Sequence, residues 1–238
     1  MMGYPNIFPI FRRELRYYFN SPVAYVVIIV FLAIIGWFFT SNLFLMNVAS
    51  MRVVFDLVPL IFLFFVPAIT MRLLAEEKKS GTLELLTTKP VRDLEIVLGK
   101  FLAAWVLVAA TLAPTILYLI TILSLGSIDI GPVFAAYLGL LLMGGVYVSI
   151  GILASSLTEN QIIAFIISFL LVLALFMMDK ILMYVPETFA STMEFLGTDY
   201  HFSNIARGVI DSRDVIYFGS LLGFSLFLAT VSLERRKW

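Results

Sequence analysis

The side chains able to carry charge are concentrated in one stretch, Arg72–Lys100, RLLAEEKKSGTLELLTTKPVRDLEIVLGK. It sets Arg72, Lys78, Lys79, Lys89, Arg92 and Lys100 against Glu76, Glu77, Glu84, Asp93 and Glu95, eleven of the chain's 32 charged residues. Such a mixture of donors and acceptors suits ion pairing with another protein surface. It does not make a catalytic set. Covalent catalysis needs a nucleophile beside a base, and the apolar segments carry no such pair. There is no Cys, and His201 is the single His, so thiol chemistry and a Cys- or His-rich metal site are excluded. A lone His reads as an ordinary polar or packing residue. The phosphate-cradling pattern G-x-x-x-x-G-K-[ST] is absent, so the chain binds no ATP through a P-loop.

The rest of the chain must hold this stretch in place. Hydrophobic residues make up 61% of the sequence and charged residues 13%, against about 45–50% and about 25% in soluble domains. Mean hydropathy is +1.02. A soluble core of this size needs a polar shell that the sequence cannot supply, which leaves an all-α integral membrane protein with one membrane domain over residues 1–238. The formal net charge is zero, which gives no footprint for nucleic acid.

Six apolar runs are long enough to span: Val23–Phe39, Val53–Met71, Phe101–Leu123, Val133–Leu153, Ile162–Met178 and Ile216–Ser232. Each approaches the roughly 17–25 residues that cross about 30 Å of hydrocarbon. Pro59 and Pro67 are expected to kink the second, and Arg52 and Asp56 at its outer end to pair. With the N-terminus inside, twelve Lys and Arg residues fall on inner segments and four on outer ones. That bias places both termini and Arg72–Lys100 in the cytoplasm. The spans carry no ionisable residue near the middle, which argues against an ion-coupled carrier. If something is moved, the energy arrives from a partner.

Residues 7–19, IFPIFRRELRYYF, read as an amphipathic interfacial helix. Phe8, Phe11, Leu15, Tyr18 and Phe19 are expected on one face, with Arg12, Arg13 and Arg16 on the other. Asn20-Ser21-Pro22 breaks it before the first span. The Arg-rich start resembles a signal peptide, but the apolar run after it is long and no small-x-small site follows, so an uncleaved span is expected. In the charged stretch, Gly81 permits a turn, Ser80 or Thr82 caps a short helix over Thr82–Thr87, and Lys89-Pro90 opens another with Val91, Leu94, Leu98 and Phe101 as its apolar stripe. In the fourth span, Ala135 and Gly139, Gly145 and Ser149, and Gly151 and Ser155 allow close helix packing within the subunit. Segment 179–215 is too apolar for a solvated loop. It is expected to form short helices dipping into the outer leaflet, one capped by Thr198 or Asp199.

The run AEEKKSGTLELLTTKPV (Ala75–Val91) followed by DLEIVLGKFLAA (Asp93–Ala104) resembles the signature segment of ABC-2-type transporter permeases. A narrower similarity is to the permease subunit of the gliding-motility-associated ABC transporter of Bacteroidetes. It is carried by FNSPVAYVV (Phe19–Val27), PAITMRLLAEEKKSGTLELL (Pro67–Leu86), ASSLTENQIIAF (Ala154–Phe165), ARGVIDSRDVIYF (Ala206–Phe218) and LERRKW (Leu233–Trp238).

The resemblance implies a six-helix permease of the bacterial inner membrane. It implies a homodimer or a dimer with a related permease, bound to cytoplasmic ATPase subunits that hold ATP and Mg, so that this chain carries no cofactor. A coupling helix between spans 2 and 3 would engage the ATPase through Glu76, Glu77, Lys78, Gly81, Thr82, Leu83, Glu84 and Leu85. Thr158, Glu159 and Asn160 would make a second, smaller ATPase contact. Phe11, Arg12, Arg13 and Arg16 fall on the family's elbow helix, and 179–215 matches its re-entrant segment. The gliding type also implies a membrane-anchored accessory protein with a large extracytoplasmic domain. A different reading of the same residues is an ATPase-driven scaffold that transmits force without cargo.

Overall fold

In lipid a backbone has only itself to hydrogen-bond, so apolar runs of this length are expected to be helical throughout. The computed structural model describes residues 6–82, 91–126, 128–181 and 193–235, and among them there is no strand. The helices are α1 (Ile7–Asn20), α2 (Pro22–Phe44), α3 (Arg52–Thr70), α4 (Arg72–Lys79) and α5 (Asp93–Leu112). They continue as α6 (Ile116–Leu125), α7 (Ile130–Leu157), α8 (Gln161–Met177), α9 (Thr198–Ala206) and α10 (Ser212–Glu234). Five segments are long and apolar enough to cross a membrane: Pro22–Phe44, Arg52–Lys79, Asp93–Leu125, Ile130–Leu157 and Ser212–Glu234. The remaining apolar helix, α8, has 17 residues. Trp37, Phe64, Ile120, Leu170 and Phe227 stand exposed on the outside of the bundle. In water such a belt costs about 25 cal/mol per Å2 of apolar surface; in lipid it costs nothing.

Helix α7 is the centre. It packs against α3, α4, α5, α8, α9 and α10, and every residue from Met143 to Ile152 is buried. Small residues make this possible. A Cβ added at Gly139 would meet Phe202 and Ile205 of α9 at 3.0–3.3 Å, and one at Gly145 would meet Leu222 of α10 and Trp105 of α5. At Gly151 it would fall 2.0 Å from Thr70 Oγ1. The small-residue face read in the sequence therefore packs within this chain, against four different helices.

Several local expectations change. Pro59 and Pro67 lie inside α3, and the turn residue Met71, whose own dihedrals stay helical, separates α3 from α4. The third apolar run is interrupted by a 3-10 turn over Ala113–Thr115, because Pro114 has no N–H to donate and its ring crowds the preceding carbonyl. Helix α5 begins at Asp93 after an extended Arg92 (φ −83°, ψ 145°). Its buried residues include Glu95, Ile96, Val97, Gly99 and Lys100, while Leu94 and Leu98 are only half-buried. Among the described residues Arg52 and Asp56 line one cavity without forming an ion pair. Neither Thr198 nor Asp199 caps α9 through its side chain; Thr198 Oγ1 instead meets Tyr147 Oη at 3.0 Å. Residues 83–90, 182–192 and 236–238 lie outside the described residues. With them go Leu83, Glu84, Leu85, most of the Thr82–Thr87 helix, the Lys89-Pro90 start and part of the 179–215 segment.

The Gly151 contact gives a direct test. Gly151→Ala should destabilise the full chain in detergent by about 1–3 kcal/mol through overpacking against Thr70. Gly223→Ala, where an added Cβ meets nothing within 4 Å, should leave the thermal midpoint unchanged or slightly raised. Equal midpoints for the two variants would show that α3 and α7 are not packed this closely.

Candidate functional site

Three segments remote in sequence meet at one end of the bundle. Helix α1 buries Ile10 and Tyr18, with the half-buried Glu14 between them on the same stripe at i, i+4 and i+8, while Phe8 is 67% exposed. It lies directly on the backbone of α5, since a Cβ on Gly99 would come 2.7 Å from Ile10 Cγ2 and 3.1 Å from Ile7 O. The start of α5 is tied to the same helix. Glu95 Oε1 accepts from the Asn6 N–H at 3.2 Å. Its Oε2 accepts from Asn6 Nδ2 at 3.1 Å and from the Arg92 N–H at 2.9 Å. Glu95 thus serves as the acidic first-turn residue that the positive end of a helix favours.

One turn further along α5 is Lys100, whose side chain is 1% exposed. Its Nζ lies 3.2 Å from Glu14 Oε1 and 2.9 Å from Glu77 Oε1. Arg13 closes the circuit, at 2.7 Å from Glu14 and 3.0 Å from Glu77. The result is a ring of four alternating charges joining α1, α4 and α5, with no net charge. Burial pushes the Glu14 carboxyl up. Lys100 and the Arg13 contact outweigh that effect and hold it below its ordinary value. The outer side of the ring is weak because Arg13 is 50% exposed and screened by solvent. The inner side is strong because an unpaired buried ammonium is costly.

A second set of bonds ties α4 to α7. The Ser155 hydroxyl accepts from the N–H groups of Leu74 at 3.0 Å and Ala75 at 2.9 Å, and donates to Met71 O at 2.9 Å. The turn at Met71 leaves first-turn N–H groups of α4 without helical partners, and one hydroxyl answers two of them. Lys78 Nζ donates to Ser156 O, which also accepts from Ser232 Oγ of α10 at 3.2 Å. Arg72 stacks over the Tyr17 ring at 4.3 Å, and Tyr18 Oη donates to Ile69 O at 3.1 Å.

The residues singled out in the sequence are distributed around this assembly. Glu77 and Lys78 face inward into it, and Glu76 is exposed. Gly81 has φ +68°, the left-handed conformation that ends a helix with least strain in glycine. Thr82 is exposed, and its hydroxyl lies 2.8 Å from that of Ser80. Arg12 and Arg16 are exposed, Phe11 is half-buried and Arg13 belongs to the ring. Thr158, Glu159 and Asn160 form the turn between α7 and α8, where Asn160 Oδ1 caps α8 through the Ile162 N–H at 2.9 Å. Leu83, Glu84 and Leu85 lie outside the described residues. Sequence reasoning missed Glu14, the central place of Lys100, and Ser155 as a hydrogen-bond hub. A signal existed for the first two: Glu14 is the single acid in residues 7–19, and Lys100 is the cation set into Val97–Ala104.

The opposite end has its own polar cluster. Lys180 Nζ lies 2.7 Å from Asp199 Oδ2, and burial raises the neighbouring Asp179 carboxyl above its ordinary value against the pull of Lys180. His201 is buried, with Nδ1 2.6 Å from Asp214 Oδ1 and Nε2 2.8 Å from Phe195 O. A carbonyl only accepts, so Nε2 donates to Phe195 O. Among the described residues no group of three His, Asp or Glu side chains is arranged to hold a metal ion.

A family model described as an ABC-2 family transporter protein matches residues 45–198. The chain belongs to the ABC-2 family. No curated protein matches it. The matched part of this ABC-2 chain runs from the end of α2 into α9 and includes Glu77, Lys100 and Ser155. Arg13 and Glu14 lie outside it, so the charge ring joins the matched membrane domain to the N-terminal helix. The chain is thus a multi-pass membrane component of an ABC transporter.

Two outcomes follow from the ring. Lys100→Met strands Glu14 and Glu77, and should cost about 3 kcal/mol, as when one partner of a buried pair is removed. Adding Glu77→Gln should return part of the loss. An unchanged denaturation midpoint for the single variant would show that the ring does not hold the fold. The second outcome concerns pH. Glu14 titrates lower in the folded chain than its ordinary 4.5, so folding favours its charged form. Its contribution is complete above pH 4.5 and is lost as the pH falls through the depressed value. Glu14→Gln should flatten that acid limb of the stability profile; an identical limb in both proteins would contradict the assignment.

Proposed function

We propose that this chain is the permease subunit of an ABC transporter, in which separate cytoplasmic ATPase subunits bind ATP and Mg and drive a substrate across the bacterial inner membrane. The observation that carries this reading is the construction of α4. Its exposed tip, Lys79 to Thr82, projects from a base fixed by the charge ring and by Ser155. The segment after this tip, with Leu83, Glu84 and Leu85, is the part that seats in the ATPase. Thr158, Glu159 and Asn160 form a second contact, supported by the Lys78 bond to Ser156 just before that turn. Helix α1, with Phe11, Arg12, Arg13 and Arg16, acts as the elbow along the membrane surface.

In this reading α8 completes six spans. Its 17 residues meet the lower limit of about 17 for a crossing. Both termini lie in the cytoplasm, which the joining of α1, α4, the end of α7 and the end of α10 at one end supports. Helix α9 is re-entrant. Thr198 at its start meets Tyr147, which lies about 25 Å along α7 from Ile130 at 1.5 Å per residue. The permease acts as a homodimer or with a related permease. The motifs shared with gliding-motility transporters favour that system, with its membrane-anchored accessory protein.

The test is co-purification of the full chain with the ATPase encoded beside it. Thr82→Asp and Glu84→Lys should lower permease-stimulated ATP hydrolysis about tenfold, a change of about 1.4 kcal/mol, without moving the melting midpoint. If no complex forms, or both variants stimulate as well as the parent chain, the reading is wrong.

A further inference from the structure

A carboxylate oxygen buried without a donor keeps its full desolvation penalty, and one such oxygen lies at the end opposite the charge ring. Asp214 is 3% exposed. Its Oδ1 meets His201 Nδ1 at 2.6 Å, while its Oδ2 is buried and has no hydrogen-bond partner among the described residues. His201 cannot turn to serve both oxygens. Its Nε2 is committed to Phe195 O, and its ring is stacked on Tyr217 with centroids 3.9 Å apart. Tyr217 is itself fixed by donating to Leu196 O at 2.6 Å.

Asp214 lines a cavity of about 340 Å3, together with Phe195, Tyr200, Asn204, Arg207, Arg213 and a second carboxylate, Asp211. These walls define what fits. The free oxygen requires an N–H or O–H donor. Aromatic walls favour a donor that carries positive charge, and a charge-assisted bond is about twice as strong as a neutral one. A primary ammonium meets both conditions; a quaternary ammonium has no hydrogen to give. Neither Arg207 nor Arg213 forms an ion pair among the described residues, and paired guanidinium groups suit a phosphate. Beside them the apolar Val209 and Ile216 are 65% and 67% exposed. Cations next to exposed aliphatic side chains mark the level where lipid headgroups meet acyl chains.

We propose that this cavity binds a phosphoethanolamine group, with its ammonium on Asp214 Oδ2 and its phosphate on Arg207 and Arg213. The group arrives as the headgroup of a membrane phospholipid or as the free zwitterion in solution. The site lies apart from the insert that the transporter reading assigns to the ATPase, and it stands independently of that reading.

The experiment places the full chain in nanodiscs of equal phosphatidylethanolamine, phosphatidylcholine and phosphatidylglycerol and counts retained lipids by native mass spectrometry. Phosphatidylethanolamine should be retained about tenfold over phosphatidylcholine, the scale of one charge-assisted hydrogen bond. Asp214→Asn should abolish that preference. Arg213→Gln should weaken phospholipid retention while keeping the preference, and it changes an exposed side chain. Soluble phosphoethanolamine that raises the melting midpoint without lipid enrichment identifies the free zwitterion as the ligand; enrichment of the lipid identifies the membrane. Equal retention of the three lipids with no response to soluble phosphoethanolamine means that the oxygen is merely hydrated and overturns the proposal. So does an Arg213→Gln protein that binds as the parent does, a result that stands even if Asp214→Asn fails to fold.

Discussion

The ammonium of Lys100 is the constraint on which this end of the molecule depends. It stands near the start of a long apolar helix, almost wholly removed from solvent. A cation there is tolerable only when carboxylates reach it from elsewhere. Helix α5 has Asp93 and Glu95, but Glu95 is used to hold the N-terminus of α1 and its own first turn. The neutralising charges come instead from Glu14 and Glu77, on two other helices. Neutralising one lysine therefore fixes the position of α1 and the direction in which α4 leaves the bundle. Arg13 is a consequence of the same arrangement, since two carboxylates drawn to one ammonium leave room for a second cation.

The central helix solves a different problem. In lipid there is little hydrophobic drive between helices, and close contact comes from packing and polar bonds. Helix α7 meets this with Gly139, Gly144, Gly145 and Gly151, each under a neighbour's side chain, and then with Ser155, which adds hydrogen bonds where α3 ends. At the opposite end α9 uses the same device, laying Phe202 and Ile205 on Gly139. The two ends differ in composition but share a logic: a small residue on α7 admits a neighbour, and a buried polar contact fixes it.

Much of this was legible in the sequence. The apolar runs marked the helices, because a charge-free run of about twenty residues has few other options. The charged stretch, the turn at Gly81 and the small-residue face of α7 were legible for similar local reasons. What was not legible depends on contacts between distant residues. Glu14 and Lys100 are 86 positions apart, and nothing local signals that α1 folds back onto α5. Helical spacing put Phe8, Phe11, Leu15, Tyr18 and Phe19 on the apolar face; Tyr18 is buried and Phe11, Leu15 and Phe19 pack against the core, but Phe8 is exposed and the seat of Ile10 on Gly99 had no local signal. The expected Arg52–Asp56 pair does not form among the described residues; both residues are exposed, where solvent screening leaves an ion pair worth little. The pairing of His201 with Asp214 requires a turn between α9 and α10 that places them side by side.

The Ser155 hydroxyl has a mechanical consequence. With Met71 separating them, α3 and α4 are two rods with a pin between them, and the pin belongs to a third rod. Two N–H groups of α4 and one carbonyl at the turn all terminate on the same oxygen of α7. A displacement of α4 is therefore delivered sideways, into α7, before it travels along α3. Since α7 touches most of the other helices, a load applied at the charged tip is shared by the whole bundle at its first point of contact.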